Sequence, residues 1–179
     1  MRQIENEMDK NYVMSSFLMY RTIVEAGHKY NRDGSGCIPV KNSYELEVAL
    51  KQQMEKVFSA TGKRAALALS GGIDSAILAK YMPKNSTVYT FQCKVPGVEV
   101  TNEVPRAARY AKECGLNQKI VEIYWEDFEK YAPILMRHKA APIHSIEVQI
   151  YKSALQAKAD GIDTLVIGEN SDVNYGGMD

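Results

Sequence analysis

Short unbroken apolar runs alternate along this chain with longer stretches in which apolar residues return every three or four positions. The short runs are Ala65-Ala66-Leu67-Ala68-Leu69, Thr87-Val88-Tyr89-Thr90-Phe91-Gln92, Lys119-Ile120-Val121-Glu122-Ile123-Tyr124 and Thr164-Leu165-Val166-Ile167. Each is bounded by turn-forming residues and reads as a strand. Helical spacing joins Leu46, Leu50, Met54, Val57 and Phe58, with Asn42 or Ser43 as cap, and then Ile73, Ile77, Leu78 and Tyr81. A third helix carries Val104, Ala107, Ala108 and Ala111; it tolerates Pro105 in its first turn and ends at Gly115. A fourth carries Phe128, Tyr131 and Leu135, and after Pro142 a longer one runs from about Ile146 to Ala159. Residues 1–30 start polar and then gather Tyr12, Val13, Met14, Phe17, Leu18 and Ile23, which suits one or two short helices. The loop Asn31–Gly36 and Pro39 follow, so residues 1–42 read as a helical extension and 43–179 as the main domain.

Strands alternating with helices imply parallel pairing through right-handed crossovers, hence an α/β doubly wound sheet. If strands one, two and three run outward and the fourth returns to the far side of the first, a crevice opens at the carboxyl edge between strands one and four. The two loops at that crevice are Ser70-Gly71-Gly72-Ile73-Asp74-Ser75 and Gly168-Glu169-Asn170-Ser171-Asp172.

Composition narrows the choice of partner. The 179 residues suit one domain, and the 45% hydrophobic content supports a packed core. A formal net charge of +0 offers no bulk attraction to nucleic acid or an anionic membrane, so nucleic acid is not an expected partner. No apolar run approaches the ~20 residues that span a bilayer, and Glu5, Glu7 and Asp9 do not fit a secretion signal. Cys37, Cys93 and Cys114 are far apart and form no CxxC pair, which argues against a zinc ribbon or a dithiol redox site. Reduced thiols and a cytoplasmic location are expected.

The first loop carries the chemistry. Two glycines between a strand and a helix allow close approach of an anion, and the free N–H groups of a first helical turn favour negative charge. The Gly-Lys-Ser/Thr ending of the common nucleoside-triphosphate loop is absent, and Asp74 stands where that lysine would be. An acid beside a phosphate site makes sense with a divalent cation between them. In the second loop Gly168 admits a ligand to the backbone, while Glu169 and Asp172 set carboxylates across the crevice from Asp74. Shared Mg²⁺ is the expectation. The plainer alternative for the first loop is a tight turn with Ser70 or Asp74 capping the helix.

SGGIDS resembles the SGGxDS signature of the N-type ATP pyrophosphatases, the PP-loop enzymes. The run GENSDVNYGG is similar to the GEGSDELFGG segment of the asparagine synthetase synthetase domain. The likeness extends from about Tyr44 to the end of the chain and implies a HUP-like adenine nucleotide alpha hydrolase fold. It also implies ATP and Mg²⁺ as cofactors. Carried over by position, Ser70, Gly71, Gly72 and Ser75 match the pyrophosphate binders, and Asp74 and Asp172 the metal-binding acids. Leu69, Cys93, Ile167 and Gly168 match positions around adenosine, and Glu169 an acid near the reacting acyl group. Asp74, Glu169 and Asp172 are therefore the expected catalytic set.

Departures from the family pattern are also present. Asn170 replaces a glycine and Val173 an acid, and Pro142-Ile143-His144-Ser145 stands where asparagine synthetases carry an arginine. The chain has no amino-terminal cysteine nucleophile. It stops just past the second loop, before the helices that help enclose the acceptor in that family, so the domain is expected to be cut short at its carboxyl end. The implied reaction is adenylation of a carboxylate or amide acceptor followed by amidation. A sulfur transferase using Cys93 or Cys114, and a non-catalytic ATP-binding or assembly module, remain alternatives. Expected partners are a small-molecule acceptor, a separate ammonia-supplying or acceptor protein, and a second copy of the chain. Lys94 and Arg106 could meet phosphate, although a solvated charge is the commoner fate of such residues. His144, just ahead of the long helix, reads more readily as a cap than as a catalyst.

Overall fold

The computed structural model describes residues 40–61, 64–97 and 101–168. The elements are α1 (Ser43–Thr61), β1 (Ala65–Ala68), α2 (Ile73–Ala79), β2 (Thr87–Cys93), α3 (Val104–Cys114), β3 (Asn117–Ile123), α4 (Trp125–Lys139), α5 (Ser145–Ala159) and β4 (Thr164–Val166). The strands form one parallel sheet in the order β3-β2-β1-β4, with Leu67 opposite Val88 and Ala65 opposite Thr164. The fourth strand thus returns to the far side of the first, as the alternating pattern predicts. The carboxyl end of β1 lies beside that of β4. The amino-terminal extension and the second loop beyond Gly168 lie outside the described residues.

β1 is buried on both faces, which suits a central strand of a parallel sheet. On one face Leu67, Leu69 and Val88 pack with Ala79 and with Ala107 and Ala111 of α3, joined by Met54 from α1. Alanines at 107 and 111 leave no bulk between helix and sheet, so α3 lies close above the loop that follows β1. On the other face Ala66, Tyr89, Val121 and Ile123 pack with Ala157 of α5, and Phe91 and Phe128 border them. Tyr89 is wholly buried, and its hydroxyl donates to Asp160 at 2.7 Å, which also receives Lys119 at 2.8 Å. A buried phenol is thereby satisfied rather than stranded.

The helix signals hold in detail. Asn42 Oδ1 accepts from the Glu45 amide at 2.9 Å, making Asn42 the cap of α1. Gly115 closes α3 in the left-handed region at φ +68°, where a side chain would be strained. α2 is shorter than the apolar spacing suggests. It ends at Ala79, and Tyr81 falls in the following turn, where its hydroxyl donates to Glu47 of α1 at 2.9 Å. No helix among the described residues is long and apolar enough to cross a membrane.

Candidate functional site

The loop after β1 is held by its own polar groups. Leu69 is fixed first: its N–H donates to Tyr89 O, and its carbonyl accepts from the buried Thr90 hydroxyl, both at 2.8 Å. Gln118 donates to that hydroxyl in turn at 2.9 Å. Beyond this anchor, Ser75 Oγ accepts from the Ser70 amide at 3.1 Å and lies 2.9 Å from Ser70 Oγ. Ser70 Oγ accepts from the Gly72 amide at 3.1 Å. Ser75 is 4% exposed, so its hydroxyl braces the loop from inside. Gly72 caps α2 with φ −82° and ψ 160°, and no side chain caps the helix, so the plain capping role for Ser70 or Asp74 does not apply. Ala76 N donates to Gly72 O, which leaves the amides of Ile73, Asp74 and Ser75 ahead of that bond, at the helix mouth.

The glycines are needed for close packing rather than for a left-handed backbone. A Cβ on Gly71 would sit 3.1 Å from Glu103 Cβ and 3.4 Å from Arg106 Cβ. α3 thus grips the Gly71 peptide from both sides: Glu103 accepts from its N–H at 3.3 Å, and Arg106 donates to its carbonyl at 3.3 Å. A Cβ on Gly168 would sit 3.1 Å from Ser75 N and 3.3 Å from the Asp74 carbonyl carbon. The end of β4 therefore rests directly on the mouth of α2.

Of the expected site residues, Leu69, Ser70, Gly71, Gly72, Asp74, Ser75 and Gly168 gather here. Cys93 ends β2 and Ile167 follows the last residue of β4, Cys93 half-buried and Ile167 38% exposed. Glu169 and Asp172 lie outside the described residues. Asp74 is the described member of the expected metal pair, and the described residues hold no group of three or more metal-ligating side chains. Mg²⁺ on a nucleotide commonly takes only one or two carboxylates besides phosphate oxygens, and Asp74 at the mouth of α2 is of the right donor type for one of them.

A cavity of about 620 Å³ opens from Ser70 across the ends of β2 and the starts of α4 and α5. Phe91, Trp125 and Phe128 form its aromatic wall, with Trp125 and Phe128 ring centroids 6.0 Å apart. Gln92, Cys93 and Gln149 also line it, as do Asn102 and Glu103. The sequence reading singled out Cys93 from this group and missed the rest. No short-range motif joins residues drawn from five separate segments. His144 lies outside it, at the N-cap position of α5: its backbone carbonyl accepts from the Glu147 N–H at 3.1 Å, and its amide donates to Glu147 Oε2 at 3.1 Å. Cys114, the last residue of α3, packs against the core that Ala107 and Ala111 help form, and burial, aided by Glu113, pushes its thiol up. Lys94 pairs with Glu122 at 3.9 Å.

A family model for asparagine synthase matches residues 45–179. No curated protein matches the chain. Similar solved structures include an NH3-dependent NAD synthetase from Campylobacter jejuni in complex with the nitrate ion, at 14% identity and TM-score 0.48, covering 76% of this chain and 62% of that one. A predicted subunit of tRNA methyltransferase from Methanocaldococcus jannaschii follows at 24% identity and TM-score 0.38, covering 64% and 57%. NMN synthetase from Francisella tularensis is similar at 13% identity and TM-score 0.40, covering 72% and 54%. The chain spans less than two thirds of the length of each of these structures.

Proposed function

The chain belongs to the asparagine synthase family, and from that premise we propose that it binds ATP with Mg²⁺ over the loop after β1 and transfers AMP to an acceptor. The acceptor's carboxylate or amide oxygen attacks the α-phosphorus, and pyrophosphate leaves with the electron pair of the broken P–O bond. A nitrogen nucleophile then displaces AMP, which makes the overall reaction an asparagine synthetase-like amidation. The observation that supports this most is the contact of Gly168 with Asp74 and Ser75, because it brings the ends of β1 and β4 to one point.

In this reading the amides at the mouth of α2 receive the pyrophosphate, and Ser70 and Ser75 keep them aligned before it arrives. Gly71 and Gly72 supply the backbone of that cradle. Leu69, Cys93, Ile167 and Gly168 surround adenosine. Asp74 and Asp172 would hold Mg²⁺, which when bound offsets the charge developing on the leaving oxygens. Glu169 orients the acceptor or moves a proton. The expected setting is cytoplasmic, with a small-molecule acceptor and a separate ammonia-supplying partner or a second copy of the chain.

Incubation with Mg-ATP and a panel of metabolites tests this. The reading expects AMP and pyrophosphate in equal amounts with one class of acceptor. ADP and phosphate would contradict it, and retained ATP binding with no turnover would favour a non-catalytic module. A second reading, sulfur transfer, draws support from Cys93 on the cavity wall beside Ser70. Mass spectrometry finding a persulfide on Cys93 would favour it.

A further inference from the structure

Three consecutive backbone amides lead out of Leu69 into the loop after β1, and their partners differ in kind. Ser70 N–H donates to Ser75 Oγ and Gly72 N–H to Ser70 Oγ, both neutral hydroxyls of the loop itself. Gly71 N–H donates instead to a carboxylate, Glu103 Oε2, brought in from the start of α3 32 residues away. A carboxylate oxygen and a phosphate oxygen ask the same of an amide, a donor for negative charge. Glu103 therefore holds the one amide of the three whose acceptor is an anion, and it also lines the cavity that opens from Ser70.

This bond is easily exchanged. Its length is 3.3 Å, whereas a charge-assisted pair at full strength measures about 2.7–2.9 Å. Glu103 stands at the N-cap position of α3, yet its side chain makes no capping bond; Asn102 Oδ1 accepts from the Val104 amide at 3.2 Å instead. The loop keeps its shape without the carboxylate, because Ser70 and Ser75 close it from inside and Thr90 anchors Leu69. Among the described residues Glu103 forms no ion pair, so no cation offsets its charge. Arg106, one turn further along α3, pairs with no acid there either and donates to the Gly71 carbonyl at 3.3 Å. A carboxylate leaving Gly71 thus has a guanidinium on its own helix, at the i, i+3 spacing that lets two side chains meet.

We propose that Glu103 competes with pyrophosphate for the Gly71 amide and so sets how tightly the loop holds that product. This rests on the adenylation reading above and adds to it a positioning residue, one that touches the loop and not the reacting atoms. One N–H cannot serve two oxygens at full strength, and a carboxylate left beside pyrophosphate repels it. As the nucleotide seats, Glu103 turns toward Arg106 and a phosphate oxygen takes the Gly71 N–H. After pyrophosphate has parted from the α-phosphorus, the carboxylate returns to Gly71 and favours its departure. The cradle is thereby weaker for product than its amides alone would make it.

Calorimetric titration of Mg-pyrophosphate into the full chain, parent beside Glu103→Gln, tests this. Glutamine keeps the length and the acceptor oxygen and removes the charge. The variant is expected to bind Mg-pyrophosphate about three- to fivefold more tightly, the range of a partly exposed charge interaction. That gap should narrow between about 0.05 and 0.5 M salt, as screening removes the repulsion. Adenosine, which carries no charge, should bind both proteins equally. Glu103→Ala, which removes a side chain that caps nothing, is the second variant and should shift pyrophosphate in the same direction. Weaker pyrophosphate binding by the folded variants overturns the proposal, because a carboxylate that merely braced the loop would give that result. A tightening shared by adenosine overturns it too, since it would mean a wider site and not a relieved repulsion, as does loss of the fold in both variants. Equal Mg-pyrophosphate binding by parent and variants would sink the competition and leave adenylation standing. Binding of neither Mg-pyrophosphate nor Mg-ATP by any of them would remove both.

Discussion

The two sides of the carboxyl edge are built on opposite plans. In the loop after β1, Ser70, Gly72 and Ser75 spend their polar groups on one another, and α3 clamps Gly71 from outside. In the cavity above β2, Gln92 and Gln149 spend theirs on nothing within the described residues, and the walls come from elements far apart in sequence. The first plan fixes backbone amides in advance, as stabilisation of a developing charge requires. The second leaves donors and acceptors for an occupant to complete. Rigidity thus sits at the expected phosphate end, and unspent hydrogen bonding in the cavity beside it.

The sharpest way to break this contrast is Gly168→Ala. Its new Cβ would meet the Ser75 and Asp74 backbones at 3.1 and 3.3 Å, atoms that cannot swing aside as a side-chain tip can. A loss of about 1–3 kcal/mol in urea unfolding is expected, with weakened Mg-ATP binding in the fraction that folds. An unchanged midpoint would mean that the end of β4 does not rest on α2.

A matched pair sharpens the comparison further. Ser75→Ala strands the Ser70 amide in a nearly closed environment and is expected to cost about 1–2 kcal/mol. Gln149→Ala removes no internal bond and should stay within about 0.5 kcal/mol. Equal effects on unfolding would erase the distinction between a spent and an unspent network.

The smallest effect lies at the other end of the sheet. Lys119 and the Tyr89 hydroxyl hold the Asp160 carboxyl below its ordinary value. The folded chain therefore binds this proton less readily than the unfolded chain does. The contribution is present above the ordinary carboxylate range of about 4, and it fades as pH falls through the lower folded value. Urea midpoints between about pH 2 and 5 should fall less steeply in Asp160→Asn than in the parent. Parallel slopes would remove the assignment. Because this network is remote from both loop and cavity, Mg-ATP binding at neutral pH should not follow it.

What could be read from sequence followed from how local the signal is. Strand order was inferable because the alternation of apolar runs leaves few right-handed topologies, and the first loop was inferable because its bonds join residues at most five apart. The grip of Glu103 and Arg106 on Gly71 was not, since it spans more than thirty residues and depends on how closely Ala107 and Ala111 let α3 approach. Gly71 itself shows the difference. Its lack of a Cβ suggested room for an anion, and the structure fills that room with α3. The cavity escaped notice for the same reason, because Phe91, Trp125 and Gln149 belong to three unrelated periodic patterns. Tyr81 misled by spacing alone, continuing a helical rhythm past the end of α2.

The central claim is that the edge shared by β1 and β4 holds a magnesium nucleotide through Asp74. Calorimetric titration of Mg-ATP into the parent chain and into Asp74→Ala measures it directly. The account predicts binding by the parent and a loss of at least about tenfold in the variant, given what a charged ligand interaction contributes. Equal affinity in the two proteins, with both folded, would contradict it.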